Sequence, residues 1–426
     1  MSDRVKIALI GCGGMGRRHL RGIARLAAST HANLELVALC DLNAENAEFA
    51  ADEAAELMGK RPRVYTDLAR MLREVTDLQA VSITTDASSH QKVAPLCFEA
   101  GLHVMSEKPL GLTVRACTFI IEAARRAGRI LSVAENYRRD PINRLGRALV
   151  QDGAIGNPRL MLDSSVSGRN RIAITPWRHM KLTGTITVDA GVHNADILRF
   201  YMGEARTIYG ETRLHEKTRV NTGSAGPGGF YGRWAPNFPD QIEPTGEDAM
   251  YAHITFESGA VGQWTYDQAG HGLPLRSRHV YGSTGSLELP GDRNGRPIKL
   301  HLDDGTVIDD DRILDYAPSY RLSPLAAELF GGERVWTYKL DFNETDSRIL
   351  ALEYHELGHC ASTGQRPEVT GEEARADVAF TYAPFESGQL GRPVTMAEMV
   401  DASADVYQRE IDEHLGLLQA PPIPAS

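Results

Sequence analysis

Three groups of residues in this sequence have the types and spacing to do chemistry together. Gly11-Cys12-Gly13-Gly14-Met15-Gly16 gives G-x-G-x-x-G directly after an apolar run and at the start of an amphipathic one. There Gly11 permits a tight turn, Gly13 lets backbone approach a pyrophosphate, and Gly16 lets helix and strand pack closely. The helix start adds unpaired N–H groups and a partial positive charge. Asp41 closes the second apolar run, where a carboxylate accepts hydrogen bonds from an adenosine ribose. A 2′-phosphate would meet that charge, and Leu42 and Asn43 offer no arginine to receive it, so NAD is expected over NADP. Glu107-Lys108-Pro109 follows a fifth strand, at the carboxyl edge where such sheets bind ligands. Asp189 and His193 stand four apart, on one face of a helix. An Asp there can fix the tautomer and basicity of a His acting as general base. The same spacing also suits a helix-capping Asp beside a structural His.

The elements that must position these groups are legible along the chain. Val5 to Ile10, Leu34 to Cys40, Arg63 to Tyr65, Ala80 to Thr84, His103 to Ser106 and Ile130 to Ala134 read as strands. Arg17 to Leu26, Asn43 to Met58, Gln91 to Ala100 and Val114 to Arg125 have helical periodicity between them. The alternation predicts a doubly wound parallel sheet. After Pro141 a helix over Ile142 to Gln151 leads to a strand near Leu160 to Val166, and a helix follows over Asp189 to Tyr201. From Ala205 to Leu302 period-two strands and glycine turns, at Glu257 to Gly259 and Gly282 to Gly285, predict an antiparallel sheet. Helices return over Thr345 to Thr363 and Glu372 to Leu390. The expected division is 1–140 for dinucleotide binding and 141–426 for substrate binding and oligomerisation, the last helices falling in the second part. Asn221 to Gln241, rich in Gly, Pro and aromatics, is a long loop of the kind that is functional or mobile.

Composition sets bounds. The 426 residues carry 46 Lys plus Arg against 56 Asp plus Glu, a net charge of −10, which argues against nonspecific nucleic-acid binding. Five scattered cysteines without a C-x-x-C pair argue against a disulfide framework or a cysteine zinc site. No apolar run reaches membrane-span length. Arg17-Arg18 is followed by Arg21 and Arg25, not by an apolar run, so an export signal is not expected and a cytoplasmic location is.

These segments together resemble the glucose–fructose oxidoreductase / inositol dehydrogenase / rhizopine-catabolism (Gfo/Idh/MocA) family. The matching stretches are the glycine loop, Glu107-Lys108-Pro109, Glu135-Asn136-Tyr137-Arg138, Trp177-Arg178, Asp189-x-Gly191-x-His193-x-x-Asp196, Gly282 to Leu287 and Arg366 to Gly371, nearly the whole chain. The resemblance implies an N-terminal Rossmann domain and a C-terminal α/β domain on a large, open, mostly antiparallel sheet. It implies a homo-dimer or homo-tetramer, often formed through the sheet face, and an active site between the domains. Its chemistry is hydride transfer from a secondary hydroxyl of a sugar, polyol or inositol to NAD, without a metal. Carried over, Lys108 binds the reacting hydroxyl and the nicotinamide ribose, and His193 is the acid/base. Asp189 orients His193 or binds a substrate hydroxyl. Gly14, Met15, Thr84, His90 and Glu107 join Gly11, Gly13, Gly16 and Asp41 in the cofactor site. Tyr137, Arg138, Trp177, Arg178 and Lys181 are candidate sugar or carboxylate contacts, with inter-domain packing or a surface pair as the other reading.

Two stretches depart from the family pattern: Thr183-Gly184-Thr185 replaces a Gly-Gly-Gly run, and Thr84-Thr85-Asp86 a Thr-Pro-Asn type sequence. Both lie beside the expected pocket and bear on substrate choice. His355-Glu356-Leu357-Gly358-His359 is a literal H-E-x-x-H, but no third ligand follows at a recognised spacing and a packing helix is expected. Asp309-Asp310-Asp311 reads as a solvated turn and not a calcium loop. Two other functions use the same parts. A redox-neutral glycosidase or lyase would oxidise a sugar transiently and return the hydride, with Phe230, Tyr231 and Trp234 stacking on an aglycone. A non-catalytic NAD-sensing protein would not need Lys108 or His193, and both are present.

Overall fold

The computed structural model describes residues 4–224 and 226–418. Alternate residues of the first strand, β1 (Val5–Ile10), enter opposite cores: Val5, Ile7 and Leu9 one, Ala8 and Ile10 the other. A strand buried on both faces needs helices on both sides. The first core is lined by α1 (Gly14–Ala27) and α2 (Ala44–Met58). The second is lined by α3 (Leu68–Glu74), α4 (His90–Glu99) and α5 (Val114–Ala127). With β2 (Leu34–Cys40), β3 (Arg63–Tyr65), β4 (Ala80–Ile83), β5 (His103–Glu107) and β6 (Leu131–Ala134), the parallel sheet has the order β3-β2-β1-β4-β5-β6. That is the Rossmann order, with its crevice beyond the carboxyl ends of β1 and β4. The short helix α3 was not anticipated; Asp67 caps it, accepting from Arg70 N–H.

The second half opens with α6 (Pro141–Gln151) and β7 (Leu160–Gly168). A nine-stranded sheet follows, in which β7 runs parallel to Val261–Gly270 and antiparallel to Leu275–Tyr281; the other pairings are antiparallel. The chain's most buried helix, α7 (Ile186–Met202), lies on this sheet with every residue but Ala190 buried, which is why it lacks an amphipathic stripe. Gly191 makes the close approach possible, because a Cβ there would lie 2.9 Å from the Met250 methyl and 3.0 Å from Thr381 Cγ2. Beneath it Trp264 packs against Phe380 of α10 (Gly371–Leu390), ring centroids 5.7 Å apart. Asp309 to Trp336 contains a 3-10 turn, Asp311–Tyr316, and a short helix, α8 (Pro324–Phe330).

The helix α9 (Phe342–Thr363) leaves the second half and packs on the Rossmann sheet, placing Ala351, Tyr354 and Leu357 in the core beside α1. A buried ion pair fixes the contact: Arg18 Nε donates to Asp346 Oδ2 at 2.8 Å and Nη2 to Oδ1 at 2.5 Å. Asp346→Ala would strand the Arg18 charge, and we expect it to cost about 3–5 kcal/mol. Urea unfolding reads this, and a loss under about 1 kcal/mol would contradict it.

Candidate active site

The crevice at the carboxyl ends of β1, β2, β4 and β5 opens into a cavity of about 510 Å³. Gly11, Gly13, Gly14 and Met15 line its floor, and a Cβ on Gly16 would stand 2.0 Å from the Gly11 carbonyl oxygen. Gly16 therefore serves helix–strand packing and Gly11 the close approach of β4, since a Cβ on Gly11 would lie 2.8 Å from the Thr84 carbonyl carbon. A Cβ on Gly13 would have no neighbour within 4 Å, so the backbone there is open to an incoming group. Thr84 lines the wall and its Oγ1 donates to the Gly11 carbonyl at 2.6 Å, tying β4 to the loop. Asp41 lines the far end between the apolar walls of Leu42 and Leu68; it accepts from Cys12 N–H at 2.6 Å and from Asn43 N–H at 2.8 Å. Open backbone amides at a helix start, an apolar slot and a carboxylate beyond it fit the phosphates, adenine and ribose of a dinucleotide.

At the other end the cavity is walled by Glu107, Lys108, Trp177, Arg178 and Asp189. Asp189 sits in the first turn of α7 because Thr185 caps that helix, accepting from Val188 N–H. Lys108 Nζ donates to the Asp189 carbonyl at 2.8 Å and lies 3.4 Å from Oδ1, while Arg178 Nε donates to Oδ2 at 2.9 Å. Burial alone would raise the Asp189 carboxyl, but Arg178 and Lys108 outweigh it and hold the group well below the usual carboxylate range. The Arg178 guanidinium lies 4.2 Å from the Trp177 ring centroid, and its Nη1 donates to Thr175 Oγ1 at 2.8 Å.

The expected Asp189–His193 pairing needs correction. His193 Nδ1 lies 2.8 Å from both oxygens of Glu135, and Tyr137 stacks on the imidazole at 4.1 Å and 4°. Two side chains one turn apart share a face, but Arg178 and Lys108 have already claimed the Asp189 carboxylate. Burial, then Lys108 and Arg293, push His193 well below its ordinary value. Burial likewise pushes Glu135 up to about 7, against the opposing effects of Tyr137 N–H, Arg138 and Lys108. Both shifts disfavour charge on the pair. Among the described residues, the hydrogen bonds to the His193 ring fall on Nδ1 and not on Nε2.

Residues 5–135 match an oxidoreductase family with an NAD-binding Rossmann fold, and residues 144–288 match the GFO/IDH/MocA C-terminal domain. D-Apiose dehydrogenase of Paraburkholderia graminis is 30% identical over 404 residues, 93% of this chain and 91% of its own length. The chain belongs to the Gfo/Idh/MocA oxidoreductase family. Myo-inositol 2-dehydrogenase of Thermotoga maritima is 22% identical and covers 93% of this chain and 100% of its own. A solved structure of levoglucosan dehydrogenase in complex with NADH and L-sorbose shares the fold at TM-score 0.71 and 20% identity, covering 93% of this chain and 100% of that one.

Gly16, His90, Tyr137, Arg138, Lys181 and His193, all expected site residues, are not among the residues that line the cavity. Arg138 is buried in a bidentate pair with Asp196 and opens onto a different cleft, so it braces α7 instead of facing a sugar; a buried guanidinium so paired has little left for a ligand. His90 is fully buried and its ring nitrogens lie 3.2 Å from the carbonyls of Pro109, Leu110 and Thr85, tying together the two loops behind the cavity. Tyr137 stacks on His193, one turn along α7 from Asp189. Sequence reasoning assigned no role to Glu135, or to His19, whose Nε2 lies 2.8 Å from Glu107 Oε1 and whose Nδ1 lies 2.9 Å from the Tyr354 hydroxyl. Glu135 stands in the Glu135-Asn136-Tyr137-Arg138 stretch; an acidic residue directly after a buried strand and two before an aromatic was the available signal. His19 had none, since its partner Tyr354 is 335 residues away. In the H-E-x-x-H segment, Glu356 pairs with Arg139 at 2.7 Å, and no cluster of three or more metal-ligating side chains occurs among the described residues.

Proposed function

We propose that this chain oxidises a secondary hydroxyl of a sugar, polyol or inositol with NAD as hydride acceptor. The observation that carries this reading is that Lys108, Arg178 and Asp189 face the same cavity as the glycine loop and Asp41. When bound, the nicotinamide supplies a carbon that accepts the hydride of the substrate C–H. The protein's part is to hold the alcohol and take its proton. Lys108 Nζ donates a hydrogen bond to the reacting oxygen and offsets its growing negative charge. His193 Nε2 takes the hydroxyl proton, while Glu135 accepts from Nδ1–H and fixes the tautomer that leaves Nε2 free. Asp189, held ionised, keeps Lys108 and Arg178 in place and can accept from a neighbouring hydroxyl. Of the three loop aromatics weighed for an aglycone, Tyr231 alone lines the cavity; Phe230 is buried against α1 arginines.

The test is a panel including D-apiose, levoglucosan and myo-inositol with NAD and with NADP, following reduced cofactor. Stoichiometric NADH supports the reading. Product without NADH would mark the redox-neutral reaction, and neither from a broad panel would reject both.

The preference for NAD rests on Asp41, whose charge would repel a 2′-phosphate. Asp41→Ala is expected to improve NADPH binding relative to NADH by about tenfold or more. Fluorescence titration with both cofactors measures it, and an unchanged ratio would remove Asp41 from the selectivity.

A further inference from the structure

The 221–241 loop belongs to the second half of the chain, yet Phe230, Tyr231 and Arg233 lie against the Rossmann half. Phe230 is buried with the Arg21 and Arg17 guanidinium carbons 4.8 and 5.9 Å from its ring centroid, both from α1. Arg233 pairs with Glu45 at 3.2 Å and lies 4.9 Å from the Phe49 ring, both on α2. At the base, Asn221 Nδ2 donates to the Ala235 carbonyl at 3.2 Å and to the Phe238 carbonyl at 3.3 Å, and Arg219–Val220 pairs with Gln241–Ile242. The segment is thus held at both ends of its crossing.

Between those anchors Tyr231 lines the cavity and is 8% exposed. A Cβ on Gly14 would be 2.7 Å from Tyr231 Cε1, so the ring lies directly against the glycine loop. On its other side the Arg178 guanidinium is 5.6 Å from the ring centroid. The ring therefore stands between the backbone amides that fit phosphates and the Lys108–Asp189–Arg178 group at the reacting end. A dinucleotide reaching from Asp41 to Lys108 has to pass along it.

We propose that Tyr231 is a cofactor-contacting residue supplied by the second half, and that residues 228–238 form a strap setting the rate at which the dinucleotide enters and leaves. Two physical consequences follow. Tyr231 contributes contact area and a phenolic hydroxyl, which affect affinity. The ion pair and the ring contact of Arg233 are both to α2, away from the cavity lining, so loosening it lowers the barrier to opening while leaving the bound contacts nearly intact; a change of that kind alters both rates and not their ratio. The proposal rests on the dinucleotide site itself and does not depend on which sugar is the substrate.

Stopped-flow NADH fluorescence on the full chain tests it without a substrate. Tyr231→Ala is expected to raise the NADH Kd about tenfold, chiefly through faster release. Tyr231→Phe keeps the ring and is expected to stay within about threefold of wild type. Arg233→Ala is expected to speed association and dissociation together, with Kd within about threefold. Unchanged rates and affinity in both Tyr231→Ala and Arg233→Ala would overturn the proposal. If Tyr231→Ala fails to fold by circular dichroism, the Arg233→Ala rates decide. A wild-type chain that binds neither NADH nor NADPH would instead overturn the cofactor site on which the strap depends.

Discussion

Lys108→Ala is expected to lower turnover by at least about 10³-fold while NADH binds within about threefold of wild type. Among the described residues of the Rossmann half that line the cavity, Lys108 is the one cation: Nζ lies 2.8 Å from the Asp189 carbonyl oxygen and the side chain is largely buried beside Arg178 and Asp189. In that low-dielectric setting a donor aimed at an oxygen gaining negative charge acts far more strongly in the transition state than on the neutral alcohol. The substitution does not touch the positions proposed for the phosphates, at the open glycine-loop amides, or for the ribose, at Asp41. Asp189 keeps its contact with Arg178 Nε at 2.9 Å, so it stays ionised and the loss is that of Lys108 itself. Lys108→Met, which retains most of the stem, should fail equally. Steady-state kinetics beside an NADH titration separate the two effects. Turnover within tenfold of wild type would take Lys108 out of the chemistry.

The second large effect is expected at Glu135. The imidazole of His193 meets Lys108, Arg293, Glu107, Asp189 and the stacked Tyr137, and burial pushes it well below its ordinary value. Glu135, facing Arg138, Lys108, Glu107, Glu353 and Asp196, is pushed up to about 7 by burial. The pair works as a base when it holds one proton, on Nδ1, with Nε2 empty. Falling pH adds a second proton and removes the base, so kcat/KM for alcohol oxidation should drop as pH falls through about 7. Glu135→Gln cannot take that proton, and its amide can hydrogen-bond either tautomer. It should lower kcat by about 10²-fold and shift the acid limb to lower pH, because the remaining imidazole titrates below its ordinary value. Glu135→Asp should recover part of the rate. A merely structural role would reduce activity without moving the limb, and an unmoved limb would refute the dyad.

Where local chemistry decides structure, the sequence was enough. β1, β2 and β3 lie at Val5–Ile10, Leu34–Cys40 and Arg63–Tyr65, as read from their apolar runs. Helix starts were less legible: α1 begins at Gly14 and α7 at Ile186, each three residues before the expected start, because a glycine loop and a Thr cap carry no apolar periodicity. The glycine loop, Asp41 and Lys108 were placed at one crevice because Rossmann topology itself brings strand ends together.

The partners of the charged groups were another matter. Asp189 and His193 sit at the helical spacing that suggests a pair, yet each is bonded to a residue from another element: Arg178 for one, Glu135 for the other. Arg138, inside a motif that suggested a substrate contact, is spent on Asp196. Tyr231 comes from a loop whose composition advertised aromatics without saying which would face the cavity. Sequence by itself determined which element each group rides on, since hydrogen-bonding period and turn chemistry are local. Only the tertiary structure decided which charge meets which. A buried ion pair depends on the nearest opposite charge across packed surfaces, and neighbours there are separated in sequence by tens to hundreds of residues, as Arg18 and Asp346 are by 328.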